Sequence, residues 1–134
     1  MRVLVVERSA EDIAILHRRT RQTGCAIAWT FVRDGEEAID WLSRTANDST
    51  RTPDVILLAI NLPKLSGLEV LAHLKQTPEL RCIPVVMYTG STREEDMVRA
   101  YDAGACLYVE KSPEQTGFCK LVEALEQVCT PVAA

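Results

Sequence analysis

The chain has 134 residues, 47% of them hydrophobic and 25% charged, which suits one ordinary domain able to bury a core and excludes a disordered polymer. Its formal net charge is −4 and no basic block stands out, which argues against nucleic acid as a direct partner. No apolar run approaches the roughly 20 residues that span a bilayer, and the apolar stretch after Met1 is too short for a signal peptide, so a cytoplasmic protein without a membrane partner is expected.

Residues 2–7 form a β-branched run that reads as a buried strand. Ser9 then offers a helix N-cap with Asp12 three residues on; Ile13, Leu16 and Thr20 follow at helical spacing, and Gly24 can stop the helix. Residues 26–32 are a second strand candidate. Asp34-Gly35-Glu36-Glu37 opens a second helix with Ala38, Trp41 and Leu42 on its apolar face. Residues 45–53 are polar and read as a loop rather than an interdomain linker.

Residues 54–60 carry, after Asp54, a continuous apolar run, as expected of a central strand buried on both faces. Asn61-Leu62-Pro63 turns the chain. Ser66-Gly67-Leu68-Glu69 opens a third helix carrying Leu68, Leu71 and Leu74, which Pro78 stops. Residues 84–88 make a fourth strand, and Ser91-Thr92-Arg93-Glu94 starts a helix bearing Met97, Val98 and Tyr101 that ends near Gly104. Residues 106–109 make a fifth strand. Pro113 suits the first turn of a last helix with the stripe Phe118, Leu121, Val122, Leu125 and Val128; Pro131 and Ala133-Ala134 read as a frayed tail.

Strand and helix alternate five times across residues 1–134, with no repeat and no second domain, so a five-stranded parallel sheet flanked by helices is expected, in the flavodoxin-like order 2-1-3-4-5. Such sheets place their sites beyond the carboxyl ends of the strands, where strands one and three diverge. The residues expected there are Glu7, Arg8, Ala59, Asn61, Thr89, Gly90 and Lys111. The five cysteines (Cys25, Cys82, Cys106, Cys119, Cys129) are odd in number and lack C-x-x-C spacing, so buried or half-buried thiols are expected rather than disulfides or zinc. Trp29 and Trp41 read as packing residues, and His17 and His73 as exposed helix residues.

Several of these segments together resemble response-regulator receiver domains of the CheY type over nearly the whole chain. The segments are Val5-Val6-Glu7-Arg8, the third-strand run ending Leu57-Leu58-Ala59-Ile60-Asn61-Leu62-Pro63, Gly67, Ile83-Pro84-Val85-Val86-Met87-Tyr88-Thr89-Gly90, Ala103-Gly104-Ala105 and Tyr108-Val109-Glu110-Lys111. The loop over 45–53, the run Ser91-Thr92-Arg93-Glu94-Glu95-Asp96 and Lys111-Ser112 look like stand-alone regulators paired with phytochromes.

The resemblance implies two-component phosphorelay signalling, with Ala59 standing at the phosphoacceptor aspartate and Arg8 at one of the two acids ending the first strand. It also implies that Thr89 and Tyr108 are the switch residues and Lys111 the conserved-type lysine. A methyl group cannot accept a phosphoryl group, and Glu7, Arg8 and Lys111 sum to a formal +1 that repels Mg²⁺. No catalytic residue, metal or cofactor is therefore expected. Arg8 either fills the cation's place beside Glu7 or points to solvent.

The expected partner is a histidine kinase or phytochrome-type sensor, with a homodimer through the fourth helix, fifth strand and fifth helix also in view. Alternatives are a normal receiver carrying an engineered acceptor knockout and otherwise phosphorylated by a histidine kinase, phosphorylation on Ser9 or Thr89, and a flavodoxin-type ligand binder. The last lacks a glycine-rich loop after the first strand.

Overall fold

The computed structural model describes residues 1–48, 50–91, 93–112 and 114–129. Five strands and five helices alternate: β1 (Arg2–Val6), α1 (Ala10–Thr23), β2 (Ala28–Val32), α2 (Gly35–Thr45), β3 (Val55–Leu58), α3 (Gly67–Gln76), β4 (Val85–Thr89), α4 (Glu94–Asp102), β5 (Leu107–Glu110) and α5 (Gln115–Cys129). The strands are parallel and lie in the order β2-β1-β3-β4-β5, the order expected from the sequence. Pro113 and the tail after Cys129 lie outside the described residues.

Alternation along the strands builds two cores, because successive side chains of a strand point to opposite faces. On one face Leu4, Val6, Ile56, Leu58, Val85 and Met87 pack against Ala38 and Leu42 of α2, Val70, Leu71 and Leu74 of α3, and Ala100 of α4. On the other, Val3, Val5, Val55, Leu57, Val86 and Tyr88 pack against Leu16 of α1 and Phe118, Leu121 and Leu125 of α5. Each fully buried leucine contributes about 1.5–3 kcal/mol of transfer free energy, which is why β3, with every residue buried, anchors the sheet. Trp41 and Trp29 are half-buried against the two cores respectively.

The helix starts follow their capping residues. Ser9, Asp34 and Ser66 each accept a hydrogen bond from the backbone three residues on, and Ser66 with Glu69 completes a reciprocal capping box. Gly24 ends α1 at φ 67°, a left-handed turn that suits glycine.

Several local expectations shift, and α4 begins at Glu94, with Arg93 as an N-cap that makes no side-chain cap bond, rather than at Ser91. β3 ends at Leu58, so Ala59 and Ile60 lie in the loop beyond it, although the Ala59 N–H still donates to the Val6 carbonyl. β2 begins at Ala28, two residues later than expected. Cys82, Cys106 and Cys119 are exposed rather than buried, and only Cys25 and Cys129 are half-buried. Cys82 and Cys106 sit in turns before strands, and Cys119 lies beside the inward Phe118 but on the solvent side of α5.

Candidate functional site

The carboxyl ends of β1, β3 and β4 converge on a cavity of about 320 Å³ lined by Glu7, Arg8, Ser9, Asp12, Ala59, Ile60, Asn61, Thr89, Gly90, Ser91 and Lys111. All seven residues placed at the strand ends from the sequence line it. Asp12, Ile60 and Ser91, which the sequence did not place there, also line it, together with Ser9, weighed from the sequence as an alternative phosphorylation site.

Topology explains the gathering. Glu7 follows β1 and its N–H donates to Val32, Ala59 follows β3, Thr89 ends β4, and the Lys111 N–H donates to the Thr89 carbonyl just past β5. Close approach behind the site depends on Gly67, where an added Cβ would overlap the Ala59 carbonyl oxygen. Lys64 in the same loop holds a left-handed φ of 69°, with its ammonium 3.7 Å from Asp34 and 3.8 Å from Glu36.

At the centre, Lys111 Nζ lies 2.6 Å from Glu7 Oε2 and 2.7 Å from Asp12 Oδ2. Glu7 is 2% exposed. Its Oε1 accepts the Ser9 N–H at 3.0 Å, while Oε2 lies off the hydrogen-bonding direction and is balanced by the ammonium's charge at short range. Asp12 does accept a hydrogen bond from Lys111.

The residue beside Glu7 behaves differently from the pairing expected for it. Arg8 is exposed and forms no salt bridge among the described residues; its carbonyl accepts a hydrogen bond from the Arg33 guanidinium. The ammonium of Lys111, arriving from β5, takes the place beside Glu7, and a second cation there would be repelled. With Asp12 included, the acids and bases lining the cavity cancel.

Asp12 was read as the return half of a capping box. Its carboxylate is drawn to Lys111, so the Ser9 N–H is satisfied by Glu7 instead. The sequence signal available was spacing, since a side chain in the first turn of α1 stands over the end of β1. Lys111 also sits 5.8 Å from the centroid of the Tyr88 ring. Burial, then the Asp12 and Glu7 carboxylates, push the Tyr88 phenol up to about 12.

A second group of bonds fixes the β4–α4 connection. The Ser91 N–H donates to Thr89 Oγ1 at 3.1 Å, Ser91 Oγ donates to Asp96 Oδ2 at 2.7 Å, and the Arg93 N–H donates to Ser91 Oγ. The Tyr108 hydroxyl donates to the Ser91 carbonyl at 3.0 Å, and the Tyr108 N–H donates to the Tyr101 hydroxyl. Burial is the main cause of a raised Tyr108 phenol pKa. Tyr108 lies outside the cavity itself and lines the neighbouring groove toward α5 with Lys120. Thr92, expected in the opening turn of α4, lies outside the described residues.

Comparison with known proteins agrees with this geometry. The profile of the response regulator receiver domain family matches residues 3–123. The response regulator Rcp1 of Synechocystis sp. is 34% identical over 125 residues, covering 92% of this chain and 85% of Rcp1. The solved structure of the phosphorylated cyanobacterial phytochrome response regulator RcpA superposes with a TM-score of 0.81 at 34% identity, covering 99% of this chain and 96% of that one. The bacteriophytochrome response regulator AtBRR superposes with a TM-score of 0.75 at 38% identity, covering 92% and 91% of the two chains. Among the described residues no helix is long and apolar enough to cross a membrane.

Proposed function

The chain belongs to the response regulator receiver domain family, and from that premise we propose that it is a phosphorylation-independent interaction module of two-component signalling, not an enzyme. The observation that carries this reading is Ala59. It sits on the cavity floor, where the family's aspartate is expected, and a methyl group has no oxygen to form an acyl phosphate.

Divalent metal does not fit the residues present. Mg²⁺ asks for several oxygen ligands with negative charge. The cavity offers Glu7 and Asp12, both already engaged by Lys111 at 2.6 and 2.7 Å, and the exposed Arg8 is the other charged residue lining it. The lysine thus does internally what a metal would do for these carboxylates, and no step through Mg²⁺ follows. The net stability from the triad is modest, because desolvation opposes attraction.

The partner in this reading is a histidine kinase or phytochrome-type sensor in the cytoplasm, supported by the likeness to RcpA, Rcp1 and AtBRR. A homodimer through α4, β5 and α5 belongs to the same reading. Val98 and Tyr101 of α4 are large apolar side chains exposed at 52% and 45%, and Arg99 and Asp102 beside them supply both signs of charge. A two-fold contact needs such self-complementarity.

The test is incubation with acetyl phosphate and Mg²⁺ followed by intact mass. The mass stays unchanged in this reading. A stable gain of one phosphoryl group at substantial occupancy contradicts it.

A further inference from the structure

We infer that the outer edge of β2 and the groove between β2 and α1 form a docking site for an extended acidic segment of a partner protein, which adds to the sheet as a further strand. The inference is independent of Ala59 and of the cavity at the strand ends.

The backbone supplies the first half. In the order β2-β1-β3-β4-β5, β2 is an edge. The Ala28 N–H donates to the Met1 carbonyl, and the Val32 carbonyl accepts the Glu7 N–H, so the even-numbered residues of β2 bond to β1. Backbone groups alternate in direction along a strand, which turns the N–H and C=O of Trp29 and Phe31 outward. An outward row of this kind is a template for another strand.

Side chains supply the second half. On the α1 side of β2 lies a groove of about 620 Å³ lined by Ala14, His17, Thr20, Arg21, Ile27 and Trp29. Its wall is fixed in advance. Trp29 Nε1 donates to Thr20 Oγ1 at 2.7 Å, and that hydroxyl donates to the Leu16 carbonyl at 2.7 Å. The Phe31 ring centroid lies 4.8 Å from that of His17 and 6.4 Å from that of Trp29. Alternate side chains of an added strand stand over this aromatic wall, so an apolar residue at every second position of the partner fits it.

Charge selects the partner. Residues 13–33 hold Arg18, Arg19, Arg21 and Arg33 and no aspartate or glutamate, in a chain whose net charge is −4. Arg18, Arg21 and Arg33 are exposed. The Arg33 guanidinium donates to the Arg8 carbonyl, a neutral acceptor that leaves its charge in place. The flanking acids Glu11, Asp12 and Asp34 all lie at the carboxyl end of the sheet, where α1 and α2 begin. A second copy of this chain would bring the same arginines to the same edge and be repelled, whereas an acidic segment is attracted.

The experiment is an amide-resolved NMR titration of the full chain with a peptide of alternating glutamate and valine. Saturable shifts are expected at the Trp29 and Phe31 amides and at the Trp29 indole N–H, with slowed hydrogen exchange at the two amides. Two control peptides separate charge from strand pairing. One alternates lysine and valine. The other is the glutamate–valine peptide N-methylated throughout, which keeps charge and side chains but has no backbone N–H to donate. Both should bind far more weakly.

Arg21→Glu should weaken binding of the acidic peptide by about tenfold, since it removes one attraction and adds one repulsion. Arg21 is exposed, so the spectrum away from the groove should be unchanged. No saturable shift at millimolar peptide, either control peptide binding as tightly, or no effect of Arg21→Glu overturns the proposal. Shifts at Trp29 and Phe31 that grow with protein concentration alone would assign the edge to a second copy and overturn it as well.

Discussion

Lys111→Met exposes the dependence of the site on its internal cation. The substitution keeps the length of the side chain and deletes the ammonium that stands 2.6 Å from Glu7 and 2.7 Å from Asp12. Glu7 is 2% exposed, so it is left as a buried carboxylate whose remaining partner is the Ser9 N–H. Breaking a fully buried ion pair by removing one partner costs about 3–5 kcal/mol. The side chains of Lys111 and Asp12 are 22% and 29% exposed, so water relieves part of this and about 2–3 kcal/mol is expected.

For a chain of this length that corresponds to a fall of roughly 8–12 °C in Tm. The second half of the cycle is Glu7→Gln in the Lys111→Met background, which removes the orphaned charge and should recover about 1–2 kcal/mol. Urea denaturation of the four proteins measures both. A single variant within about 0.5 kcal/mol of wild type, or a double variant less stable than the single one, would refute the argument that Lys111 neutralises a buried acid.

Three further outcomes follow from the same geometry. Tyr88, pushed up to about 12, should ionise last in a spectrophotometric titration. A folded pKa raised above the unfolded 10.0 means that its contribution is complete below pH 10 and is lost as pH rises toward 12, and three tyrosines titrating together near 10 would contradict it. Gly67→Ala should destabilise by about 1–3 kcal/mol in thermal unfolding, because the new methyl overlaps the Ala59 carbonyl and no flexible side chain can yield. Lys64→Gly should be neutral to about 1 kcal/mol stabilising, since it relieves a left-handed φ of 69° and loses only exposed ion pairs of 3.7–3.8 Å; a clear fall in Tm would show that those pairs matter more than the strain.

The parallel sheet was legible because strand-like and helix-like patterns alternate, and its central strand because residues 55–60 are apolar throughout, as a strand covered on both faces tolerates. The site was legible for the residues that end strands, since parallel topology sends all carboxyl ends to one edge. Asp12 was missed because a carboxylate at the third position of a helix has an adequate local explanation as a cap, and nothing in the sequence reveals a lysine 99 residues later reaching it.

Arg8 was misplaced in one of its two readings for a related reason. Charge arithmetic gave the right kinds of ion but not which cation reaches Glu7, and the backbone direction after β5 decides that for Lys111. The hub at Ser91 was invisible because serine beside a helix start ordinarily signals a cap. Here the same residue receives Tyr108 through its carbonyl and engages Asp96 through its hydroxyl.

If the acceptor and the metal-binding acid are missing together, as proposed, repair needs both. The measurement is phosphoryl incorporation by intact mass, with acetyl phosphate and Mg²⁺, across wild type, Ala59→Asp and Ala59→Asp/Arg8→Asp. Wild type should incorporate none, the single variant slowly and partially, and the double variant rapidly. The rise occurs because the new acid gives Mg²⁺ the carboxylate set that competes with Lys111 for Glu7. Incorporation in wild type, or a single variant as fast as the double, would contradict it.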